Sequence, residues 1–153
     1  MAYAFRGDGG LKMNADIIVK SIIFNRELNK FLIIQRCKTD EVGADTWENA
    51  GGNVENHETP EEAVLREIKE ETGIEEAEIK YVAYVTLVKA VKPYLIIAYL
   101  CETQTETVIL SNEHQAYLWA DEYECRKKLP NTILSDFDNN NVFGLLNSSI
   151  DKK

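Results

Sequence analysis

One stretch constrains this chain more than any other: a helix whose two ends are written into the sequence and whose acids crowd its apolar side. Thr59 is an N-cap residue, Pro60 suits the first helical position, and Glu62 completes a Thr-x-x-Glu capping box. Gly73 stands where a left-handed residue would stop the helix. On a wheel of about 100° per residue, Val64, Leu65, Ile68 and Thr72 form one arc, the predicted buried stripe. Lys69 and Glu62 fall opposite, as a solvated face requires. Glu67, Glu70 and Glu71 stand at i, i+3 and i+4 and share a face. Glu67 and Glu71 lie beside the apolar arc, next to small Ala63, and so should face the seam between helix and domain body.

That placement opposes stability. Like charges at i,i+4 repel even when exposed, and partial burial of an anion costs far more unless a cation intervenes. Glu70 and Glu71 also sit at the helix C-terminus, which disfavours anions. Arg66 neutralises only part of this. A divalent cation with hard oxygen ligands, Mg²⁺ or Mn²⁺, would relieve the rest. A helix that is merely acidic and solvated remains open at this point.

Around the helix the chain reads as one domain of 153 residues. Residues 1–13 are Gly-rich and aperiodic and are expected to form an irregular arm, with a single domain over residues 14–150. Asp16–Phe24 and Phe31–Ile34 are apolar runs parted by polar Asn25–Lys30, a predicted hairpin. Trp47 leads into Ala50-Gly51-Gly52, where backbone must turn tightly or approach something closely. Past the helix, strands are expected over residues 79–89, 94–101 and 117–120. A helix is expected over residues 121–129, stopped by Pro130, and weak helical turns follow. Strands around a helix, with further helices late, predict an α+β fold with helices covering a mixed sheet.

Lys plus Arg number 17 and Asp plus Glu 26, a net charge of −9. So acidic a chain has no general attraction for a nucleic-acid polymer or an anionic membrane surface. A small anionic substrate stays admissible if a metal ion bridges the repulsion. Cys37, Cys101 and Cys125 are too few and scattered for a disulfide framework or a thiolate zinc site, which favours reduced thiols in the cytoplasm. No apolar run reaches the length of a membrane span, and Met1–Gly10 lacks the apolar region of a signal peptide. Nothing sets the oligomeric state, and a homodimer is left open.

Read together, Gly52, Glu58, Arg66-Glu67-Ile68-Lys69-Glu70-Glu71-Thr72-Gly73-Ile74 resemble the Nudix box of the Nudix (MutT-like) hydrolases, Gly-x5-Glu-x7-Arg-Glu-U-x-Glu-Glu-x-Gly-U with U aliphatic. Every fixed residue of the pattern is present. The resemblance implies an α/β/α sandwich with a mixed sheet. It also implies an enzyme that hydrolyses the diphosphate linkage of a nucleoside diphosphate derivative with Mg²⁺ or Mn²⁺. By position it makes Glu67 and Glu71 the main metal ligands, Glu70 a further ligand and the Gly52 carbonyl a backbone ligand. Arg66 would orient Glu67, Glu58 would be a supporting acid, and Gly73 the helix stop. Glu113 stands six residues before Trp119, the spacing of a general base in MutT-like members, with Glu67 as the rival base. His114 reads as a loop residue that shapes its turn.

The same resemblance favours nucleoside triphosphates, deoxy or ribo, as substrates. Pro93 stands 20 residues past Gly73, too far for the ADP-ribose pattern. The extra motif of coenzyme A members is not visible. Asn131 after Pro130 resembles a base-reading residue, and Trp47 is a candidate to stack on a base. Asn49-Ala50 and Asn53 replace residues the family often carries around the double glycine, which touches substrate choice more than catalysis. Two other readings stand beside the enzyme: a non-catalytic Nudix nucleotide-binding or sensor module, and an acidic cation-binding domain without a substrate.

Overall fold

The long strand β2 (Lys12–Asn25) organises the molecule, because four other strands pair with it. The computed structural model describes residues 2–6 and 12–146. β1 (Ala2–Arg6) lies antiparallel to the first part of β2, with Ala2 opposite Asp16 and Arg6 opposite Lys12. This corrects the irregular arm expected over residues 1–13 at residues 2–6, 12 and 13; residues 1 and 7–11 lie outside the described residues. Tyr3 and Phe5 suit a strand, but five residues before a Gly-rich stretch give too short a pattern to read, and the ladder with β2 fixes the conformation.

The predicted hairpin is present: β3 (Lys30–Arg36) runs antiparallel to the end of β2. Asn25 shapes the turn by accepting from the Leu28 N–H at 3.1 Å, and Asn29 adopts the left-handed conformation that asparagine tolerates. On the other edge of β2, β7 (Tyr94–Glu102) is parallel, in register from Asp16–Tyr94 to Phe24–Glu102. β6 (Glu78–Val88) is antiparallel to β7, and β4 (Trp47–Glu48) and β8 (His114–Ala120) are antiparallel to β3. β5 (Ala50–Asn53) is antiparallel to β2 over Ile18–Ser21. The sheet is therefore mixed, as expected.

Alternation along the strands splits the apolar residues into two cores, one on each face. Ile17, Val19 and Ile23 of β2 pack with Leu32, Ile34, Tyr99 and Cys101 against Ala63, Val64 and Ile68 of α1 (Pro60–Thr72). Ile22, Phe24, Phe31 and Ile33 point the other way, against Cys125 of α2 (Glu122–Lys128) and Phe137 of α3 (Asn131–Asn139). An edge-to-face chain of rings runs through this second core, with centroids 5.7 Å apart for Phe24–Phe31 and 5.4 Å for Phe137–Phe143. Helices on both faces of one mixed sheet make the predicted α+β sandwich. Among the described residues no helix is long and apolar enough to cross a membrane.

Candidate active site

The helix α1 forms where its caps place it. Thr59 accepts from the Glu62 N–H and the Glu62 side chain accepts from the Thr59 N–H, while Gly73 takes φ +73° and donates to the Lys69 carbonyl. Its buried residues are Ala63, Val64, Ile68, Glu71 and Thr72. Leu65, predicted in the buried stripe, is 40% exposed. The buried arc is rotated so that Glu71, not Leu65, faces inward, because α1 docks its acidic side on β5.

Glycine makes that docking close enough. A Cβ on Gly52 would meet the Glu67 carboxylate, 2.5 Å from Oε1, and a Cβ on Gly51 would meet the Val19 carbonyl at 2.1 Å. Ala50-Gly51-Gly52 is thus a strand that lets backbone and carboxylate approach, rather than a tight turn. The Gly51 N–H donates to Glu71 Oε1 at 2.7 Å.

Arg66 gathers the acids around it. Its Nε and Nη2 grip Glu58 at 2.7 and 3.0 Å, and Nη1 donates to Glu67 at 2.9 Å and Glu70 at 3.1 Å. Nη2 also donates to the Asn53 carbonyl at 3.1 Å. This fork holds the Glu58 carboxyl down at about 2, helped by the Glu55 N–H. Glu67 moves the other way: half-burial raises its pKa despite the Arg66 contact. Glu71 is more extreme. Burial pushes it up to about 7, and the Gly51 N–H offsets only part of that. Glu70 stays exposed.

These residues line one cleft of about 570 Å³ with Gly51, Gly52, Glu55, Ser111, Asn112 and Glu113. The sequence-predicted set of Gly52, Arg66, Glu67, Glu70, Glu71 and Glu113 is brought together, with Glu58 behind Arg66. Trp47 is not in this cleft. It packs toward the second core, with Lys128 Nζ 4.9 Å above its ring. Asn131 is also outside. It opens α3, exposed, beside a second cleft of about 530 Å³ lined by Thr132, Ile133, Lys20, Asn49 and residues of β6 and β7.

His114, Glu48, Lys20 and Arg36 complete the site, and the sequence reading underrated or passed over them. His114 is buried, with Nε2 2.9 Å from Glu48 Oε2 and Nδ1 3.6 Å from Glu71 Oε2. Lys20 and Arg36 reach Glu48 at 3.2 and 3.3 Å. Burial works against the Glu48 anion, yet His114, Lys20 and Arg36 together hold its carboxyl at about 2. The usable signal for His114 was its place as the first residue of a strand, next to Glu113. The signal for Glu48 was its closeness to the double glycine.

A divalent cation fits these donors. Two carboxylates whose burial opposes ionisation share the cleft, and His114 Nδ1 is buried without a hydrogen-bond partner among the described residues. Ligand atoms of Glu71, Glu113 and His114 lie within 4.8 Å of one another.

The NUDIX domain model matches residues 16–133. The chain belongs to the NUDIX family of hydrolases. It is 43% identical over 58 residues to the 8-oxo-dGTP diphosphatase of Proteus vulgaris, covering 38% of this chain and half of that one. It is 34% identical over 112 residues to the asymmetrical bis(5'-nucleosyl)-tetraphosphatase of Mus musculus, covering 64% of this NUDIX chain and 74% of the mouse protein. A MutT protein from Methanosarcina mazei Go1 shares the fold with a TM-score of 0.70 at 27% identity, over 83% of this chain and 93% of that one.

Proposed function

We propose that the chain is a divalent-metal-dependent pyrophosphohydrolase that cleaves the diphosphate linkage of a nucleoside diphosphate derivative, with nucleoside triphosphates as the substrate class. The observation that carries this is the gathering of Glu67, Glu70, Glu71 and Glu113 in one cleft against the Gly51–Gly52 backbone. The relatives named for 8-oxo-dGTP and for dinucleoside tetraphosphates support a phosphate anhydride as the bond that breaks.

Glu67, Glu71, Glu70 and the Gly52 carbonyl are assigned to hold Mg²⁺ or Mn²⁺. When bound, such an ion supplies neutralising charge for the diphosphate and a more acidic water. Arg66 fixes the Glu67 carboxylate through Nη1, and Glu58 fixes Arg66, so both are positioning residues. Glu113, exposed at the lip of the cleft, takes the proton as water attacks phosphorus, with Glu67 the alternative base. A P–O bond to the water oxygen forms in line as the anhydride P–O bond breaks, and the leaving phosphate departs with the electron pair. A triphosphate would yield a monophosphate and pyrophosphate.

The free thiols of Cys37, Cys101 and Cys125 support a cytoplasmic place, and the net charge of −9 favours small nucleotides over polymers as partners. The test is a nucleotide panel in Mg²⁺ or Mn²⁺, scored by kcat/KM for phosphate or pyrophosphate release. Metal-dependent turnover, lost by orders of magnitude in Glu71→Gln, supports the reading. Nucleotide binding without turnover would instead make this a sensor module.

A further inference from the structure

His114 is held in one tautomer by its surroundings. Glu48 lies between Lys20 and Arg36 and is ionised, so it can only accept. Its Oε2 stands 2.9 Å from His114 Nε2, so Nε2 carries the proton and donates. Whenever the ring is neutral, Nδ1 is then a bare lone pair. It is buried, with the side chain 1% exposed, and among the described residues nothing donates to it. Glu71 Oε2 stands 3.6 Å from it, too far for a hydrogen bond. A buried ring nitrogen and a carboxylate that face each other without a hydrogen bond leave a place for a water or an ion between them.

The backbone arrangement aims the ring there. The β3–β8 ladder skips Gln115 as it passes from Ala116 to His114, and such a bulge re-aims a side chain beside a site. The Cys37 N–H donates to the Glu113 carbonyl at 3.1 Å, which docks the preceding loop on the end of β3. Glu113 is thereby brought close enough that its carboxylate, that of Glu71 and a ring nitrogen of His114 converge within 4.8 Å.

We propose that His114 Nδ1 is a metal ligand, making with Glu71 and Glu113 a mixed nitrogen–oxygen site that takes a first-row transition ion such as Zn²⁺ or Co²⁺ in preference to Mg²⁺. Glu48 then acts on the site through His114. A ligating histidine characteristically donates its other ring N–H to a carboxylate, and that bond fixes the tautomer and raises the basicity of the ligating nitrogen. Imidazole suits zinc and cobalt, whereas magnesium favours oxygen alone. The inference rests on the assignment of Glu71 as a metal ligand.

The experiment is long-range ¹H–¹⁵N spectroscopy of the full chain with labelled histidine, titrated with Zn²⁺, alongside the carboxyl ¹³C signals of glutamate. The chain has two histidines, so His57 serves as the internal control. The expected result is that the His114 Nδ1 resonance leaves the free-imidazole range at saturation while Nε2 keeps its proton and His57 is unmoved. Carboxyl signals of Glu67 and Glu71 that move while His114 Nδ1 does not would overturn the nitrogen ligand and leave the carboxylate metal site standing. A His114 that stays doubly protonated in excess Zn²⁺ would also overturn it. No response from any of these groups overturns the metal assignment of the site as well. In His114→Gln, checked for folding by circular dichroism, Zn²⁺ affinity should fall by at least ~10-fold while Mg²⁺ affinity changes by less than ~3-fold. Equal losses for both ions count against the proposal.

Discussion

Replacing Glu71 by Gln should stabilise the metal-free protein at alkaline pH. The folded carboxyl is pushed from an ordinary 4.5 up to about 7, because burial disfavours the anion more than the Gly51 N–H supports it. Below pH 4.5 the group is protonated in folded and unfolded chains alike, and burial carries no penalty. Between 4.5 and 7 the unfolded chain releases the proton and the folded one keeps it, so stability falls by about 1.36 kcal/mol for each pH unit. Above about 7 both are ionised and the loss levels at about 3 kcal/mol. Gln keeps an acceptor for the Gly51 N–H and never ionises. In EDTA the Glu71→Gln variant should therefore match wild type near pH 4.5 and melt roughly 6–12 °C higher at pH 8, for a chain of this size. Thermal unfolding followed by circular dichroism at the two pH values is the assay. Added metal should reverse the order, since an ion bound to the folded state alone raises wild-type stability by mass action. A metal-free wild type at least as stable as the variant at pH 8 would refute the claim that this carboxylate is held under strain.

The double glycine should separate activity from stability. Gly52→Ala meets only the movable end of Glu67, so kcat should fall at least ~10-fold with little change in Tm. Gly51→Ala meets the Val19 carbonyl and should cost about 3 kcal/mol in denaturant unfolding. Arg66→Lys removes the two-pronged grip on Glu58 and should lower kcat while KM changes little, measured by steady-state kinetics. Phe137→Ala leaves a void among the rings of Phe31, Tyr84 and Phe143 and should cost about 3–5 kcal/mol, with kcat/KM unchanged below the lowered Tm.

The parts of the molecule that could be read before any coordinates are those whose causes are local. Thr59, Pro60, Glu62 and Gly73 fix α1 through bonds within a few residues, so the helix and its acidic face were legible. Asn25 and Asn29 likewise mark the β2–β3 hairpin. Leu65 was misplaced because a wheel gives the spacing of an apolar arc but not its centre. The partner surface sets the centre, and here β5 accepts Glu71 instead. β1 was missed because its conformation depends on pairing with β2. His114 was undervalued because its burial follows from a bulge and from Glu48, far away in sequence. Trp47 and Asn131 were offered as base contacts from type and neighbourhood alone, and neither observation carries direction in space.

The parallel pairing of β2 with β7 joins Asp16–Phe24 to Tyr94–Glu102, and the whole of α1 lies in the chain between them. Closing so long a loop is entropically slow and comes only with the commitment of the fold as a whole. The glycine strand that receives Glu71 is itself zipped to β2 at Ile18–Ser21. Until β5 is zipped to β2 the acidic helix has no cradle, so the site forms with the native sheet and not from α1 alone.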